Sequence, residues 1–252
     1  FAFAAEKLTL VAQSGGQLLG ITAEAGLGKS RLVAELIALA GEHRFALYGG
    51  QCESYGTNSS YLVWQPLWRA IFALDANWTP DQQIAHLHEQ LQAINPSFVA
   101  RLPLLNVVLN LDLPENALTQ SLDARLRKEL LHALLVDCLR ALAARSPILL
   151  VLEACQWLDA LSLELLETIG KTIVDLPVLL VITYRPLERE RVQLTAVRSL
   201  PHYTEVELRP LTAEEAGHFV QLKLEQVVGG SALVPPGLVE RLSAQAEGNP
   251  FY

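Results

Sequence analysis

A short apolar segment, Gln17-Leu18-Leu19-Gly20-Ile21-Thr22, runs into Ala23-Glu24-Ala25-Gly26-Leu27-Gly28-Lys29-Ser30 and then into an apolar-periodic stretch over residues 31–40. No other feature constrains the fold as much. A strand, a glycine-bearing loop, Lys-Ser and a helix, in that order, predict an α/β unit whose loop cradles an anion. The loop N–H groups converge on a concavity, the helix N-terminus adds partial positive charge, and Lys29 adds a full one. A polyphosphate satisfies all three, with the Ser30 hydroxyl placed to ligate its magnesium ion. The candidate phosphate-binding residues are therefore Ala25, Gly26, Leu27, Gly28, Lys29, Ser30 and Arg31. Ala23 stands where the strict spacing has its first glycine. A Cβ disfavours positive φ, so Ala23 is expected to be extended. The plainer alternative is a glycine-containing strand–helix turn with no ligand.

Beyond this unit, apolar segments continue to alternate with helical patterns. Residues 45–50 read as a second strand; 148–152 and 178–183 are continuous apolar runs of the kind that form buried parallel strands. A shorter strand is expected over 204–208. Helices are expected over 61–74, 80–93, 122–144 and 162–174 from their periodicity. Such alternation implies a parallel sheet with helices on both faces and ligands at the carboxyl ends of the strands. The 53–145 stretch is too long for a simple crossover and reads as a largely helical insertion. Its Trp64, Trp68 and Trp78 either pack it against the sheet or form a ligand surface. After residue 211 the pattern is helical, and Thr212 with Glu215 reads as a capping box. Residues 229–237 read as a Gly/Pro-rich loop, before a final helix ending near 248–250.

Composition narrows the partners. The formal net charge of −8 offers no basic excess to neutralise phosphodiesters, so no direct nucleic-acid partner is expected. No apolar run approaches the ~18 residues of a membrane span. Three scattered cysteines, Cys52, Cys138 and Cys155, suit a reducing cytoplasm and neither a disulfide framework nor a zinc site. With no Met and no secretory leader pattern, the sequence reads as a piece of a longer cytoplasmic polypeptide. His86 and His88, two apart on a helix, have poor metal-ligand geometry; His132 reads as a surface or packing residue.

Three further sites carry chemistry. Glu153 ends the 148–152 run, where a nucleotidase needs an acid to orient magnesium through water; alternatively it only ends a strand. The next residue, where a second acid would polarise the attacking water, is Ala154, and a methyl group cannot accept a proton. Gln156 could orient water instead, and Asp159 could approach the site. Arg185 ends the next strand in Thr183-Tyr184-Arg185-Pro186, near where a γ-phosphate would lie, or it pairs with Glu188 or Glu190. In Leu208-Arg209-Pro210-Leu211, Pro210 is either a ligand contact or a rigid turn.

Together these residues resemble the nucleotide-binding domain of STAND-class signal-transduction ATPases. The likeness is to the AAA-type ATPase module of bacterial adenylate/guanylate cyclase-like proteins, LuxR-type regulators and some serine/threonine kinases. It rests on residues 23–32, 153–166, 183–186, 208–211 and 248–252, in family order. The resemblance implies a P-loop NTPase: a three-layer α/β parallel sheet with a helical insertion and a C-terminal helical lid subdomain. It places the core at 1–210, with 53–145 as the insertion, and the start of a truncated lid at 211–252. It implies ATP/ADP and Mg2+ as cofactors, with Lys29 and Ser30 on phosphate and metal and Glu153 as the metal-side acid. Arg185 becomes the γ-phosphate sensor and Pro210 the adenine-side proline. It further implies a nucleotide-controlled switch whose partners are other domains of the parent chain, such as cyclase, kinase, DNA-binding or repeat domains, and which can self-associate. Ala154 replaces the family's Asp, Gln156 its His and Ala160 its Pro. Turnover is thereby left open, with a slow ATPase switch and a non-catalytic nucleotide-stabilised scaffold as the two readings.

Overall fold

In the computed structural model the described residues are 2–54, 59–186, 194–228, 237–246 and 249. Five strands, β1 (Gln17–Thr22), β2 (Ala46–Gln51), β3 (Ile148–Glu153), β4 (Val178–Tyr184) and β5 (Tyr203–Glu207), form one sheet in the order β2-β3-β4-β1-β5. All four pairings are parallel. The expected strands are therefore present with bounds moved by a residue or so. β4 lies between β1 and β3, an order that alternation alone does not give. The apolar runs of β3 and β4 fill the middle because both of their faces are covered: every residue of β4 is buried.

One sheet face packs against α1 (Ala2–Ser14) and α2 (Lys29–Glu42). Leu8 and Val11 of α1 and Val33, Leu36 and Ala40 of α2 meet Leu19, Ile21, Leu149, Val151, Leu179 and Val181. The sequence reading has no helix at α1, and it begins α2 two residues late.

The opposite face carries the insertion. Its helices are α3 (Trp64–Ile71), α4 (Pro80–Ile94), the short α5 (Asn106–Leu109) and α6 (Ala117–Gln120), and the long α7 (Ala124–Ala143), with a 3-10 segment over Pro96–Leu105. Trp64, Leu67, Trp68, Leu87, Leu134, Leu135 and Leu139 join Leu150, Leu152, Leu180 and Ile182 in one continuous core. Each fully buried leucine in it stabilises the fold by about 1.5–3 kcal/mol. Helix α3 is shorter than the expected 61–74, because Tyr61 and Ala73 have φ of 59° and 50°, which no right-handed helix accommodates. Trp64 and Trp68 are core residues, and the Trp64 indole donates to the Ser162 carbonyl at 3.2 Å. Trp78 departs from them: it is half-buried and meets the His86 ring edge-on, with centroids 4.8 Å apart. His132 is a packing residue, buried and bonded to the Tyr61 hydroxyl at 2.9 Å.

After β3 come a 3-10 turn (Cys155–Trp157) and α8 (Ala160–Thr172); α9 (Thr195–Arg198) precedes β5. The Asp159 carboxylate accepts from the Ser162 N–H at 3.0 Å and so caps α8. Helices α10 (Ala213–Val228) and α11 (Leu238–Ala246) pack against each other. The expected capping box is formed: Thr212 N–H donates to Glu215 at 2.8 Å, and Glu215 N–H to the Thr212 hydroxyl at 3.2 Å. Residues 229–236 of the expected 229–237 loop, the Glu188 and Glu190 named as alternative partners of Arg185, and most of the 248–252 tail lie outside the described residues. No helix among the described residues is long and apolar enough to cross a membrane.

Candidate functional site

The site gathers at the carboxyl ends of β1, β3 and β4. β1 ends at Thr22, Ala23 is buried, and the loop turns through Gly26 (φ 83°) and Gly28 (φ 90°) before α2 starts at Lys29. Only glycine enters this left-handed region without strain, which explains the two glycines the loop keeps. Ala23 is not among the positive-φ residues, in keeping with its Cβ. Ala25 and Gly26 are exposed, Leu27 and Gly28 half-buried.

The Lys29 ammonium folds back along the loop, donating to the carbonyls of Ala23 at 2.6 Å and Glu24 at 2.8 Å. Burial first, and then the positive charge of Arg185, lower its pKa from the ordinary lysine value, with Glu24 partly opposing them. Arg185, exposed at the end of β4, thus acts on the same space as Lys29. Ser30 Oγ donates to Glu153 Oε2 at 3.0 Å, joining the loop to the end of β3 across 123 positions of sequence. A hydroxyl and a carboxylate side by side are hard oxygen donors of the kind magnesium takes beside phosphate. These residues fit that ion. Arg31 is exposed and pairs with Glu35, and it also lines the cleft beside the loop.

β3 ends in a sharp turn at Ala154, whose φ of 57° and ψ of 41° are left-handed. Its N–H donates to Thr183 Oγ1 at 3.1 Å, which ties the turn to β4. Gln156 follows in the 3-10 turn, and its Oε1 is buried with no hydrogen-bond partner among the described residues. Cys155 beside it is fully buried, and burial pushes its thiol pKa up, as expected of an inert sulfur. Among the described residues no group of three or more His, Cys, Asp or Glu could hold a metal on its own.

A cleft of about 700 Å3 opens beside the loop, bounded by Gly28, Lys29 and Ser30 on one side and by Leu211, Phe219 and Lys223 on the other. Its volume is within the range of small-molecule sites. Pro210 is exposed and is not among the lining residues, whereas its neighbour Leu211 is. From the tail, Asn249 reaches the loop: its amide donates to the Ala25 carbonyl at 3.4 Å, and its side chain lies over Gly26. Sequence reasoning singled out none of Thr183, Phe219, Lys223 or Asn249 individually. Only Thr183 and Asn249 had a signal, as members of the family-like stretches.

Comparison with known proteins places this geometry in context. The sequence pattern of the AAA ATPase domain family matches residues 6–182. An uncharacterized protein of Rhizobium meliloti (strain 1021) is 28% identical over 210 residues, which cover 82% of this chain and 19% of that protein. The chain thus spans less than a fifth of the length of that curated relative. Among solved structures, Cdc6p from Pyrobaculum aerophilum is similar in fold, with a TM-score of 0.51 and 14% identity over 99% of this chain and 58% of its own. A STAND protein with a tetratricopeptide repeat sensor from Pyrococcus horikoshii aligns with a TM-score of 0.44 at 13% identity, over 97% of this chain and 28% of its own.

Proposed function

This chain belongs to the AAA ATPase domain family, and on that premise we propose that it is an ATP-binding regulatory switch module, slow or impaired in hydrolysis, within a larger cytoplasmic signalling protein of the STAND class. The observation that carries the proposal is the 3.0 Å bond between Ser30 Oγ and Glu153 Oε2. It brings together two oxygen donors of the kind a magnesium–phosphate site uses, one of them, Ser30, next to Lys29 and lining the cleft.

In this reading the loop N–H groups from Ala25 to Lys29 bind the β- and γ-phosphates, and Lys29 exchanges its carbonyl partners for phosphate oxygens. Arg185 adds a second positive charge on the γ-phosphate side. Magnesium, when bound, supplies neutralisation of phosphate charge, with Ser30 and Glu153 as its holders. The unpartnered Gln156 Oε1 can accept a hydrogen bond from water and orient it. Ala154 cannot take the proton, and that is the physical reason to expect slow turnover. Residues 211–252 then act as the start of a lid over a core at 1–210, with Leu211 rather than Pro210 nearest the ligand. Exchange of ATP for ADP would change how lid and core meet, and through them the attached domains, by order–disorder or hinge motion. Self-association of the nucleotide-bound form follows the same logic. The net charge of −8 supports nucleotide rather than nucleic acid as the ligand.

Lys29→Ala removes the one full positive charge on the loop. It is expected to abolish ATP binding measured by calorimetry, and unchanged affinity would overturn the assignment. Ala154 also favours a second reading, a nucleotide-stabilised scaffold without turnover. Single-turnover hydrolysis with magnesium separates the two. Measurable hydrolysis in the parent supports the switch; none in the parent and a large gain in Ala154→Asp supports the scaffold.

A further inference from the structure

The cleft beside the loop has two chemically distinct ends. At one end the backbone amides, Lys29 and Ser30 gather; at the other stand Leu211, in the segment joining β5 to α10, and Phe219 and Lys223 on α10. Phe219 and Lys223 are one helical turn apart, so both project from the same side of α10. The Lys223 ammonium lies 5.9 Å from the centre of the Phe219 ring. Phe219 is half-buried, so part of its ring faces open cleft rather than core. A polyphosphate alone leaves that second wall unused. A flat π-system attached to the phosphates through a sugar reaches it and covers apolar surface that otherwise faces water.

From this arrangement we infer that Phe219 is the base-stacking residue of the nucleotide site, with Leu211 as the apolar support beside it. The inference rests on the nucleotide-binding reading of the loop and extends it to the part of the ligand the loop does not hold. Aromatic stacking accepts any base, because every base presents a π-face. Phe219 therefore contributes affinity for the nucleoside moiety as such. Recognition is divided between two parts of the chain: the β1–α2 loop for phosphate and α10 for the base. A ligand spanning both holds α10 against the loop, which gives a bound nucleotide a direct grip on the helical segment.

The test compares ligands that share phosphate and differ in the base. ATP and inorganic tripolyphosphate, each with magnesium, are titrated calorimetrically into the parent chain and into Phe219→Ala, Phe219→Leu and Phe219→Trp. Phe219→Ala is expected to weaken ATP about tenfold or more and to leave tripolyphosphate within twofold. Phe219→Leu, which keeps an apolar side chain on α10 but no ring, is expected to lose ATP affinity similarly. Phe219→Trp is expected to hold it at the parent level or above. Equal weakening of both ligands, or unchanged ATP affinity in both the alanine and leucine variants, overturns the inference. Lys29→Ala distinguishes the underlying reading. If it leaves tripolyphosphate and ATP binding unchanged, the phosphate assignment fails whatever the Phe219 variants do. If it abolishes both while the Phe219 variants are silent, only the base assignment fails.

Discussion

Helix α2 carries a glycine at each end whose added Cβ would meet no protein atom within 4 Å: Gly28 as its N-cap and Gly41 in its last turn. The same substitution at both therefore isolates backbone conformation. Gly41 has no positive φ, so Gly41→Ala gains the helix preference of alanine and is expected to stabilise the protein by about 0.5–1 kcal/mol. Gly28 has φ of 90°. At this N-cap the helix preference does not apply, and alanine's smaller unfolded-chain entropy, about 0.4–1 kcal/mol, is set against roughly 1–2 kcal/mol for holding an L-residue in left-handed space. Gly28→Ala is thus expected to destabilise by about 0.5–1 kcal/mol. At about 2–4 °C per kcal/mol for a chain of this size, the two melting temperatures should separate by about 4 °C on opposite sides of the parent. Thermal and denaturant unfolding, monitored by circular dichroism without nucleotide, measure the shifts. A binding titration adds a second readout. Gly28 lines the cleft and Gly41 does not, so ATP affinity is expected to drop in Gly28→Ala only. Stabilisation by Gly28→Ala, or destabilisation by Gly41→Ala, would refute the account of the loop.

Other consequences are as direct. Lys29 has a folded-state pKa below the lysine value of 10.5, lowered by burial and then by Arg185. Between that lowered value and 10.5 the unfolded chain binds more protons, so stability without ligand should rise with pH across this window. The rise should vanish in Lys29→Met, as read from denaturant midpoints at stepped pH. Phosphate binding should raise the Lys29 pKa and take up protons, seen as a buffer-dependent binding enthalpy. At Gly20 of β1, an added Cβ would sit 2.1 Å from the Tyr203 hydroxyl. That hydroxyl is held by Tyr184 at 2.6 Å and by Glu205 at 2.8 Å. Gly20→Ala forces the Tyr203 hydroxyl out of this position, and it is expected to cost about 1–3 kcal/mol in unfolding experiments.

Much of this molecule is legible in its sequence where the signal is local. The runs of β3 and β4 are apolar throughout because both their faces are covered, and a continuous apolar run bounded by Pro147 or Pro177 has few other meanings. The loop is legible for the same reason: its conformation is set by adjacent residues, Gly26 and Gly28 above all. Where tertiary contact decides, sequence is silent. Nothing local places β4 between β1 and β3, or shows that Tyr61 takes a left-handed conformation and shortens α3. The approach of Ser30, at the start of α2, to Glu153, at the end of β3, was anticipated from a loop leaving one strand and an acid ending another. Phe219 was not, and Asn249 only as part of the 248–252 stretch, because their approach to the loop depends on how the chain after β5 folds back. Asp159, a carboxylate close to the site in sequence, caps α8, a contact its spacing to Ser162 makes local.

The strand order has a consequence in time. β1 leaves the ribosome before the other four strands of its sheet, yet both its neighbours, β4 and β5, begin only at Val178 and Tyr203. At roughly 5–20 residues per second, this apolar segment with its unpaired backbone waits between several seconds and half a minute for a hydrogen-bonding partner. The polypeptide made in the meantime, all of the insertion and β3 included, has to gather without β4 to close around. Nascent chains halted before residue 178 should therefore protect neither β1 nor the loop that follows it. Protection should arrive abruptly once β4 clears the exit tunnel.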